Sequence, residues 1–226
     1  NESIKGIDIL IHLACISNDP SFEPNPSLGK LINLDSFTPS VEISKTCGAE
    51  RFIYASTSSV YGVSKEKNVT EDLKLNPISV YNKTKMIAER VFLSFKDRID
   101  IICMRPATVC GFSERLRLDL TVNKLTYDAF YKKKIFVDGG SQIRPNIHIQ
   151  DLINVYKYFI SNPGLPGGFY NAGFENLKII EIAQKVAKII PSKIVIKANN
   201  DPRSYRQNSD KLLSTGFIKK FTVGDA

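Results

Sequence analysis

The chain has 226 residues, of which 42% are hydrophobic and 24% are charged. This composition is that of a globular protein with a sizeable core, and it excludes a disordered or fibrous chain. No apolar run approaches the ~18–20 residues that span a bilayer, so we expect no membrane partner. The net charge of +8 suits either a nucleic-acid surface or a polyanionic small ligand.

The cysteines do not have the spacing of a metal-binding site. Cys15, Cys47, Cys103 and Cys110 form no Cys-x-x-Cys pair, and the chain has only two histidines, so we expect no bound metal. Single scattered cysteines fit small core residues of a cytoplasmic protein. The chain opens on Asn1, almost directly on a strand pattern, and we therefore expect it to be a piece of a longer protein.

Strand and helix patterns alternate through the first half of the chain. The near-continuous apolar run at residues 7–14 predicts a parallel strand that is buried on both faces. Helical spacing follows over residues 28–47 and ends at Gly48. The next predicted elements are a strand, a helix and a strand, at residues 51–55, 79–95 and 99–104. This rhythm predicts an α/β fold with a doubly wound parallel sheet and right-handed crossovers.

The second half of the chain is less regular, and we place the boundary between the halves at Gly111. Helices are predicted at residues 118–131, 151–160 and 179–190, and strands at residues 134–137, 169–170 and 193–196. The pattern predicts a smaller second part built from both helices and strands.

Two segments can be written as Tyr-x-x-x-Lys. Tyr61 precedes Gly62 in a loop that leaves a strand, where nothing fixes Lys65 beside it. Tyr81 lies in the first turns of a predicted helix, so Lys85 follows one turn later on the same face. An ammonium near a tyrosine lowers the pKa of the phenol from about 10, which makes it an acid/base for alcohols and carbonyls. The alternative is an exposed Tyr–Lys pair that only stabilises the helix.

Hydroxyl side chains stand where the second predicted strand ends, in the run Ala-Ser-Thr-Ser-Ser-Val-Tyr-Gly of residues 55–62. Ligands of open α/β sheets bind at the carboxyl ends of the strands. A hydroxyl at this place can bond to a substrate alcohol beside the tyrosine. The alternative is a turn rich in Ser and Thr.

These two segments resemble the extended short-chain dehydrogenase/reductase family, which contains the NAD-dependent nucleotide-sugar epimerases and dehydratases. Residues 11–15 resemble the fourth strand of that family, and residues 105–111 resemble its nicotinamide-side loop. Residues 144–151 resemble its Arg-Asp-x-Ile-His-Val-x-Asp segment, and Arg203 resembles its late phosphate-binding arginine. The resemblance covers essentially the whole chain.

The resemblance implies roles for individual residues. Thr57 would be the active-site hydroxyl, Tyr81 the acid/base, and Lys85 the residue that lowers the tyrosine pKa. The cofactor would be NAD, with NADP as an alternative, and its binding residues would be Leu13, Ala14, Asn33, Tyr81, Lys85, Pro106 and Ala107. The sugar nucleotide would be bound by Asp19, Thr57, Ser58, Thr108, Asn123, Arg144 and Arg203, with the two arginines on its diphosphate. Asn18, in the same loop as Asp19, fits a capping residue better.

The resemblance also implies which part of the chain binds the cofactor and which part binds the sugar nucleotide. Residues 1–111 would form a partial NAD-binding Rossmann domain. Residues 112–226 would form the sugar-nucleotide domain, with a segment near residues 141–160 returning to the first domain. We expect a homodimer.

Two departures from the family pattern bear on the function. The 4,6-dehydratases of the family have acidic residues just after the active-site Thr, where this chain has Ser58 and Ser59. This argues against that dehydratase subclass. The glycine-rich loop that holds the cofactor pyrophosphate is missing from the sequence, and the first strand matches the family's fourth. We therefore expect the N-terminal strands, and a short helix after the last residue, to lie outside the chain.

The resemblance implies an NAD(P)-dependent nucleotide-sugar epimerase that works by transient oxidation of a sugar hydroxyl. A ketoreductase or dehydrogenase of the same family is the alternative within this class. A catalytically inactive member and an RNA-binding member are alternatives from other classes. Against RNA binding stand the intact Thr57, Tyr81 and Lys85, and we expect no cluster of surface aromatic and basic side chains.

Overall fold

The computed structural model describes residues 4–64, 66–199 and 204–226, without the side chain of Asp19. The chain divides into two compact units. Unit 1 comprises Asn1–Gly62, Glu71–Arg105 and Asn162–Tyr170. Unit 2 comprises Val63–Thr70, Pro106–Ser161 and Asn171–Ala226.

The strands of the described residues are β1 (Ile9–His12), β2 (Arg51–Ala55), β3 (Asp100–Pro106), β4 (Thr108–Cys110), β5 (Lys134–Asp138), β6 (Ile143–His148), β7 (Gly168–Ala172), β8 (Glu175–Lys178) and β9 (Lys193–Lys197). The α-helices are α1 (Asp19–Phe22), α2 (Pro26–Lys30), α3 (Phe37–Thr46), α4 (Val80–Leu93), α5 (Thr121–Lys132), α6 (Ile149–Ser161), α7 (Ile179–Ile189) and α8 (Asp210–Ser214). None of these helices is long and apolar enough to cross a membrane.

Unit 1 is built on a sheet with the strand order β1-β2-β3-β7, in which β1, β2 and β3 are parallel. Phe52 and Tyr54 face α3 and α4 and are fully buried, and Ile53, which faces the other side, is fully buried as well. Burial on both faces explains why the strands read as continuous apolar runs. The predicted α/β class with a parallel Rossmann-type sheet is confirmed.

The predicted helix at residues 28–47 is interrupted in the structure. A π-helical turn, Leu31–Asp35, separates α2 from α3, and the N–H of Ser36 donates to the carbonyl of Leu31. Pro39 lies in the first turn of α3 and has no N–H to donate to the preceding turn. The helical path therefore restarts at Ser36. It ends as predicted at Gly48, whose φ is +102°.

Unit 2 contains two small sheets, with the strand orders β4-β6-β8 and β5-β9. The parallel pair of β5 and β9 packs with α5 and α7 around a core that includes Val122, Ile135 and Ile182. The strands β4 and β8 were not predicted from the sequence, because each has only three or four residues and is half-polar.

Candidate active site

Tyr81 and Lys85 lie on α4, whose first turn is capped by Ser79. The Ser79 hydroxyl accepts a hydrogen bond from the N–H of Asn82. The apolar face of α4 buries Ala88 and Phe92 against the sheet of unit 1. Tyr81 is half-buried and its ring lies edge-to-face with that of Phe22, with 6.3 Å between the ring centroids. Packing of the helix thus fixes both residues at the carboxyl end of the sheet.

Lys85 is only 2% exposed, and its surroundings are built to hold an ammonium. The Lys85 Nζ donates to the carbonyl of Ala55 over 2.9 Å and lies 4.8 Å from the centroid of the Tyr54 ring. Burial lowers the pKa of Lys85, while hydrogen bonding to Cys15 and the charge of Glu89 act to raise it. The Ala55 carbonyl takes one of its three N–H groups.

The hydroxyl segment, residues 55–59, follows β2 and leads into a 3-10 turn, Ser58–Tyr61. The Thr57 hydroxyl caps this turn by accepting from the N–H of Ser59. The Thr57 Oγ1 and Ser59 Oγ atoms lie 2.8 Å apart, and Ser59 Oγ donates to Asn82 Oδ1 over 2.7 Å. Thr57 is half-buried, whereas Ser58 is 4% exposed. Thr57 is therefore held by α4 through Ser59.

A buried ion pair lies one helical turn beyond Lys85. Both carboxylate oxygens of Glu89 accept from the guanidinium of Arg105, over 2.9 and 2.7 Å. Glu89 Oε1 also accepts from the hydroxyl of Ser56 over 2.5 Å. The hydrogen bonds to Glu89 help to keep the pKa of Arg105 above its ordinary value despite burial. This network joins α4, β3 and the hydroxyl segment.

Tyr61, the first residue of the other Tyr-x-x-x-Lys, is 1% exposed and its hydroxyl accepts from Arg105 Nη1 over 2.9 Å. Gly62 follows with a φ of +67° and leaves no room for a Cβ, because that atom would lie on the carbonyl oxygen of Asn76. Lys65 lies outside the described residues. Tyr61 therefore has a structural role as a hydrogen-bond partner of Arg105.

The predicted cofactor residues divide between the two units. Leu13 and Ala14 are exposed directly after β1, at the carboxyl end of the sheet of unit 1. Asn33 is fully buried, and its side-chain amide accepts from the N–H of Ile16 and donates to its carbonyl. Asn33 thus holds the loop after β1. Pro106 and Ala107 belong to unit 2, where the N–H of Ala107 donates to the carbonyl of Ala172.

Three of the predicted substrate residues, Thr108, Asn123 and Arg144, lie in unit 2. Thr108 is opposite Asn146 in β4 and β6, and Arg144 is opposite Leu177 in β6 and β8. The side-chain oxygen of Asn123 accepts from the N–H of Gly111, and its nitrogen donates to the carbonyl of Arg117.

Two further predicted substrate residues cannot be placed by contacts. Arg203 and the side chain of Asp19 lie outside the described part of the chain. The next described residues, Ser204 and Tyr205, bond to the backbone of Ile143, which precedes Arg144 in β6. Asn18 caps α1, since its side chain accepts from the N–H of Ser21.

One expectation from the sequence is wrong. Unit 2 does present surface aromatic side chains among basic ones, because α5 exposes Tyr127, Phe130 and Tyr131. The Lys132 Nζ lies 5.8 Å from the centroid of the Tyr127 ring, and the Lys133 Nζ lies 5.3 Å from that of Phe130. The sequence did not reveal this cluster, because its aromatic residues lie on the side of α5 that does not pack on β5. Among the described residues, no group of His, Cys, Asp and Glu could hold a metal ion.

Three residues of this network were not singled out from the sequence: Asn82, Glu89 and Arg105. Asn82 and Glu89 share the buried face of α4 with Lys85, at positions i, i+3 and i+7. Polar residues at the buried positions of an amphipathic helix were the available signal. Their partners are 16 to 33 residues away along the chain, so spacing alone could not reveal the contacts.

The family of the chain follows from comparison with known proteins. The model of the NAD dependent epimerase/dehydratase family matches residues 1–173. The chain belongs to this family. The resemblance seen in the residues is confirmed.

Two of the relatives are named as UDP-glucose epimerases. The uncharacterized UDP-glucose epimerase YtcB of Bacillus subtilis is 28% identical over 195 residues, which are 82% of this chain and 60% of that protein. The UDP-glucose 4-epimerase of Lactobacillus helveticus is 26% identical, over 91% of this chain and 69% of that protein. The chain thus spans roughly two thirds of the length of these relatives.

Solved structures agree on the fold. MoeE5 in complex with UDP-glucose and NAD has a TM-score of 0.87 at 24% identity, over 99% of this chain and 78% of that chain. UDP-glucuronic acid 4-epimerase from Bacillus cereus, in complex with NAD, has a TM-score of 0.84 at 26% identity. That match covers 99% of this chain and 71% of the epimerase.

Proposed function

We propose that the protein of which this chain is part is an NAD(P)-dependent nucleotide-sugar epimerase. The observation that carries the proposal is the buried ammonium of Lys85, held one helical turn after Tyr81 at the carboxyl end of a parallel sheet. A fixed positive charge close to a tyrosine favours its phenolate form. An ordinary surface Tyr–Lys pair would not bury its lysine.

The proposed chemistry is a reversible oxidation of one sugar hydroxyl. Tyr81 as phenolate removes the hydroxyl proton, Thr57 bonds to the same oxygen, and Lys85 stabilises the phenolate. The cofactor, when bound, accepts the hydride from the carbon of that alcohol and returns it. The products of the first half are a ketone and a neutral Tyr81. Tyr81 then returns its proton to the oxygen, and inversion of the centre would require the ketone to present its opposite face to the bound cofactor.

The described residues fit the nicotinamide end of such a cofactor. We propose that Lys85 bonds to a ribose hydroxyl, and Leu13 and Ala14 are exposed at the carboxyl end of β1. We propose that Pro106 and Ala107 contact the nicotinamide, and that Asn33 acts by holding the loop after β1. Residues 1–111 would form the cofactor domain, as proposed from the sequence.

We propose that residues 112–226 bind the sugar nucleotide, with Arg144 and Arg203 on the diphosphate. A UDP-sugar is the first choice, because the named relatives are UDP-glucose epimerases and the Bacillus cereus enzyme acts on a UDP-sugar. Asp19, Ser58, Thr108 and Asn123 remain proposed contacts of the sugar nucleotide. A cytoplasmic homodimer remains part of the proposal.

A dehydratase is disfavoured although dTDP-D-glucose 4,6-dehydratase of Mus musculus is 25% identical over 96% of the chain. Elimination of water needs an acid and a base next to the active-site hydroxyl. The 3-10 turn after Thr57 contains Ser58, Ser59, Val60 and Tyr61, with no carboxylate. The epimerase is therefore the better match to the site.

The test is product analysis of the full-length protein. Incubation with NAD and each of UDP-glucose, UDP-galactose and UDP-glucuronic acid should convert at least one of them to its epimer, followed by NMR of the sugar. The Tyr81→Phe variant should form no product on the same time scale. A dehydrated sugar as the product would contradict the epimerase proposal. Formation of an oxidised sugar together with one equivalent of reduced cofactor would favour the dehydrogenase alternative.

A further inference from the structure

Unit 2 contains a polar cavity at its surface, with a volume of about 250 Å³. Its wall is built mainly from the chain near residues 67–68, 173–176 and 206–210. Three exposed cationic residues line the cavity, and we call the site that they form the basic cavity: Lys67, Arg206 and Lys219.

The positive charge of the basic cavity is only partly balanced. Among the residues that the structure describes, no carboxylate forms an ion pair with Lys67, Arg206 or Lys219. The wall includes the acidic residue Asp210, whose carboxylate accepts from the side-chain amide of Asn208 over 2.7 Å. Three positive charges around one cavity repel one another, and an anion bound between them removes that repulsion.

Hydrogen bonds of the backbone bring Lys67 and Arg206 to the same cavity. The N–H of Val69 donates to the carbonyl of Arg206, and the N–H of Asn208 donates to the carbonyl of Val69, each over 2.9 Å. Lys67 is two residues before Val69, so this bridge between two distant segments fixes the backbone that carries both cations.

The wall of the cavity rests on a buried network of amides. Gln207 is 3% exposed, and its backbone exchanges two hydrogen bonds with the side chain of Asn176, over 2.9 and 3.0 Å. The Gln207 side chain donates to Asn171 Oδ1, and Asn171 Nδ2 donates to the carbonyls of Val69 and Asn208. Because this wall is already ordered, little free energy is lost in ordering it when a ligand binds.

The size and the chemistry of the cavity define a class of ligand. The cavity is smaller than the ~300–1,000 Å³ pockets that bind drug-sized ligands, which favours a compact anion over a complete sugar nucleotide. A guanidinium binds two phosphate oxygens at once, and lysine ammonium groups bind phosphate as point charges. The three cations come from three separate segments, and a tetrahedral phosphate presents oxygens in several directions, whereas a carboxylate has both oxygens in one plane.

We propose that the basic cavity binds a small phosphorylated molecule, whose phosphate oxygens bond to Arg206, Lys67 and Lys219. None of these three is among the proposed contacts of the sugar nucleotide, whose arginines are Arg144 and Arg203. The proposal therefore adds a second anion site to the protein and does not rest on the proposed epimerase activity.

The probe for this site is inorganic diphosphate, titrated calorimetrically into the full-length protein at physiological salt. Excess UDP is present throughout, so that the proposed sugar-nucleotide site is filled. We expect one saturable site in the wild type and an unfolding temperature that rises with the concentration of diphosphate. Malonate, which carries two carboxylates and no phosphate, should bind at least roughly tenfold more weakly.

Variants locate the binding. Arg206→Gln should weaken the binding of diphosphate by roughly tenfold, because a charge-assisted bond is lost, and Lys67→Gln should weaken it by a similar factor. Both side chains are exposed, so both variants should keep the fold. The matched control is Lys134→Gln, which removes an exposed charge of unit 2 that does not line the cavity and should leave the affinity unchanged.

The contrary outcomes are distinct from one another. The absence of saturable binding in the wild type overturns the proposal. So do equal losses in Arg206→Gln and Lys134→Gln, which would mean attraction to the net charge of +8 alone. Malonate that binds as tightly as diphosphate overturns the assignment to phosphate. A wild type that converts no sugar nucleotide refutes the proposed function, and the comparison of Arg206→Gln with Lys134→Gln still decides whether the basic cavity binds phosphate.

Discussion

Lys85 is buried, and burial disfavours the charged form of its amino group. The ordinary way to stabilise a buried ammonium is a carboxylate in direct contact, but the carboxylate of this region, Glu89, is bound to Arg105. Lys85 relies instead on the Ala55 carbonyl, the Tyr54 ring and Cys15. A lysine held in this way keeps its field directed at a neighbour, because no opposite charge cancels it at contact.

The surroundings of Lys85 predict an alkaline limit to activity. Burial lowers the pKa of Lys85, so the ammonium is lost as pH rises through a value below that of a free lysine. We expect kcat to fall over that range. Lys85→Arg should be slower at every pH but should lack this alkaline fall, because a guanidinium stays charged. The measurement is kcat against pH for both proteins, and identical alkaline limbs would contradict the assignment.

Arg144 gives a prediction for substrate affinity. A buried arginine–phosphate bond contributes ~1.5–3 kcal/mol, so Arg144→Ala should weaken sugar-nucleotide binding by roughly 10–150-fold. NAD affinity should not change, since the diphosphate of the sugar nucleotide is the proposed partner. Calorimetric titration measures both. The control is Lys133→Ala, which removes an exposed charge from the end of α5, and equal losses in the two variants would count against a specific arginine site.

For individual residues, the sequence could predict the acid/base pair but not the residues that hold it in place. Tyr81 and Lys85 are one helical turn apart, and local spacing is enough to bring them to one face. Asn82 and Glu89 have the same periodicity, yet their roles depend on Ser59 and Arg105, which only the packing of α4 on the sheet brings near. Arg203 lies outside the described residues, and its role stays a prediction.

Among the elements, β3 contributes one residue to each of two ion pairs that differ in burial. At its end, Arg105 and Glu89 are both nearly inaccessible to solvent. At its beginning, Asp100 pairs with Arg51 of β2 and is 35% exposed. Arg51 is buried and also donates to three backbone carbonyls. The second pair therefore has alternatives when the carboxylate is removed, and the first has few.

This difference predicts unequal costs in stability. Glu89→Ala should lower the free energy of unfolding by about 3–5 kcal/mol, because it leaves a buried guanidinium without its carboxylate. Asp100→Ala should cost clearly less, since the carbonyls continue to bind Arg51 and the lost partner was half-solvated. Urea unfolding of the full-length protein measures both. Equal losses would show that burial of the carboxylate is not what matters.

At element scale, the sequence predicted strands better than helix interruptions. Continuous apolar runs at β2 and β3 are unmistakable because both faces are covered. The break between α2 and α3 was missed because Pro39 falls in the first turn of a helix, where a proline is tolerated, and only the hydrogen-bond pattern shows the π-helical turn before it.

For the whole molecule, the positive charge is the property that leaves two functions open. The aromatic and lysine side chains of α5 are the kind of surface that single-stranded nucleic acid can use. Against it stands the proposed site in unit 1, where Tyr81 and Lys85 suit acid/base chemistry on an alcohol.

We expect RNA binding to be weak and to disappear with added salt. Sequence-independent phosphate contacts lose affinity steeply as salt rises, because counterions are released on binding. Titration with single-stranded RNA at low and at physiological salt measures this, and Lys132→Gln with Lys133→Gln should reduce what binding there is. Tight, salt-resistant binding together with no heat from any sugar nucleotide would favour the RNA-binding alternative.

The fold class was predictable from the whole sequence because alternating buried strands and amphipathic helices have few solutions. The structure of unit 2 was less predictable. Its strands β4 and β8 are short, and they exist only because β6 lies between them. Long-range pairing of this kind leaves almost no local signal.

We propose that Tyr81 with Lys85, and not the other tyrosine, takes the proton while the cofactor oxidises the sugar hydroxyl. The direct measurement is rapid mixing of the full-length, NAD-loaded protein with a UDP-sugar substrate, following the near-ultraviolet absorbance of reduced nicotinamide. We predict a transient reduced cofactor in the wild type and in Tyr61→Phe, formed ~10²–10⁴-fold more slowly in Tyr81→Phe. Equal loss in both variants, or undiminished formation in Tyr81→Phe, would contradict the account.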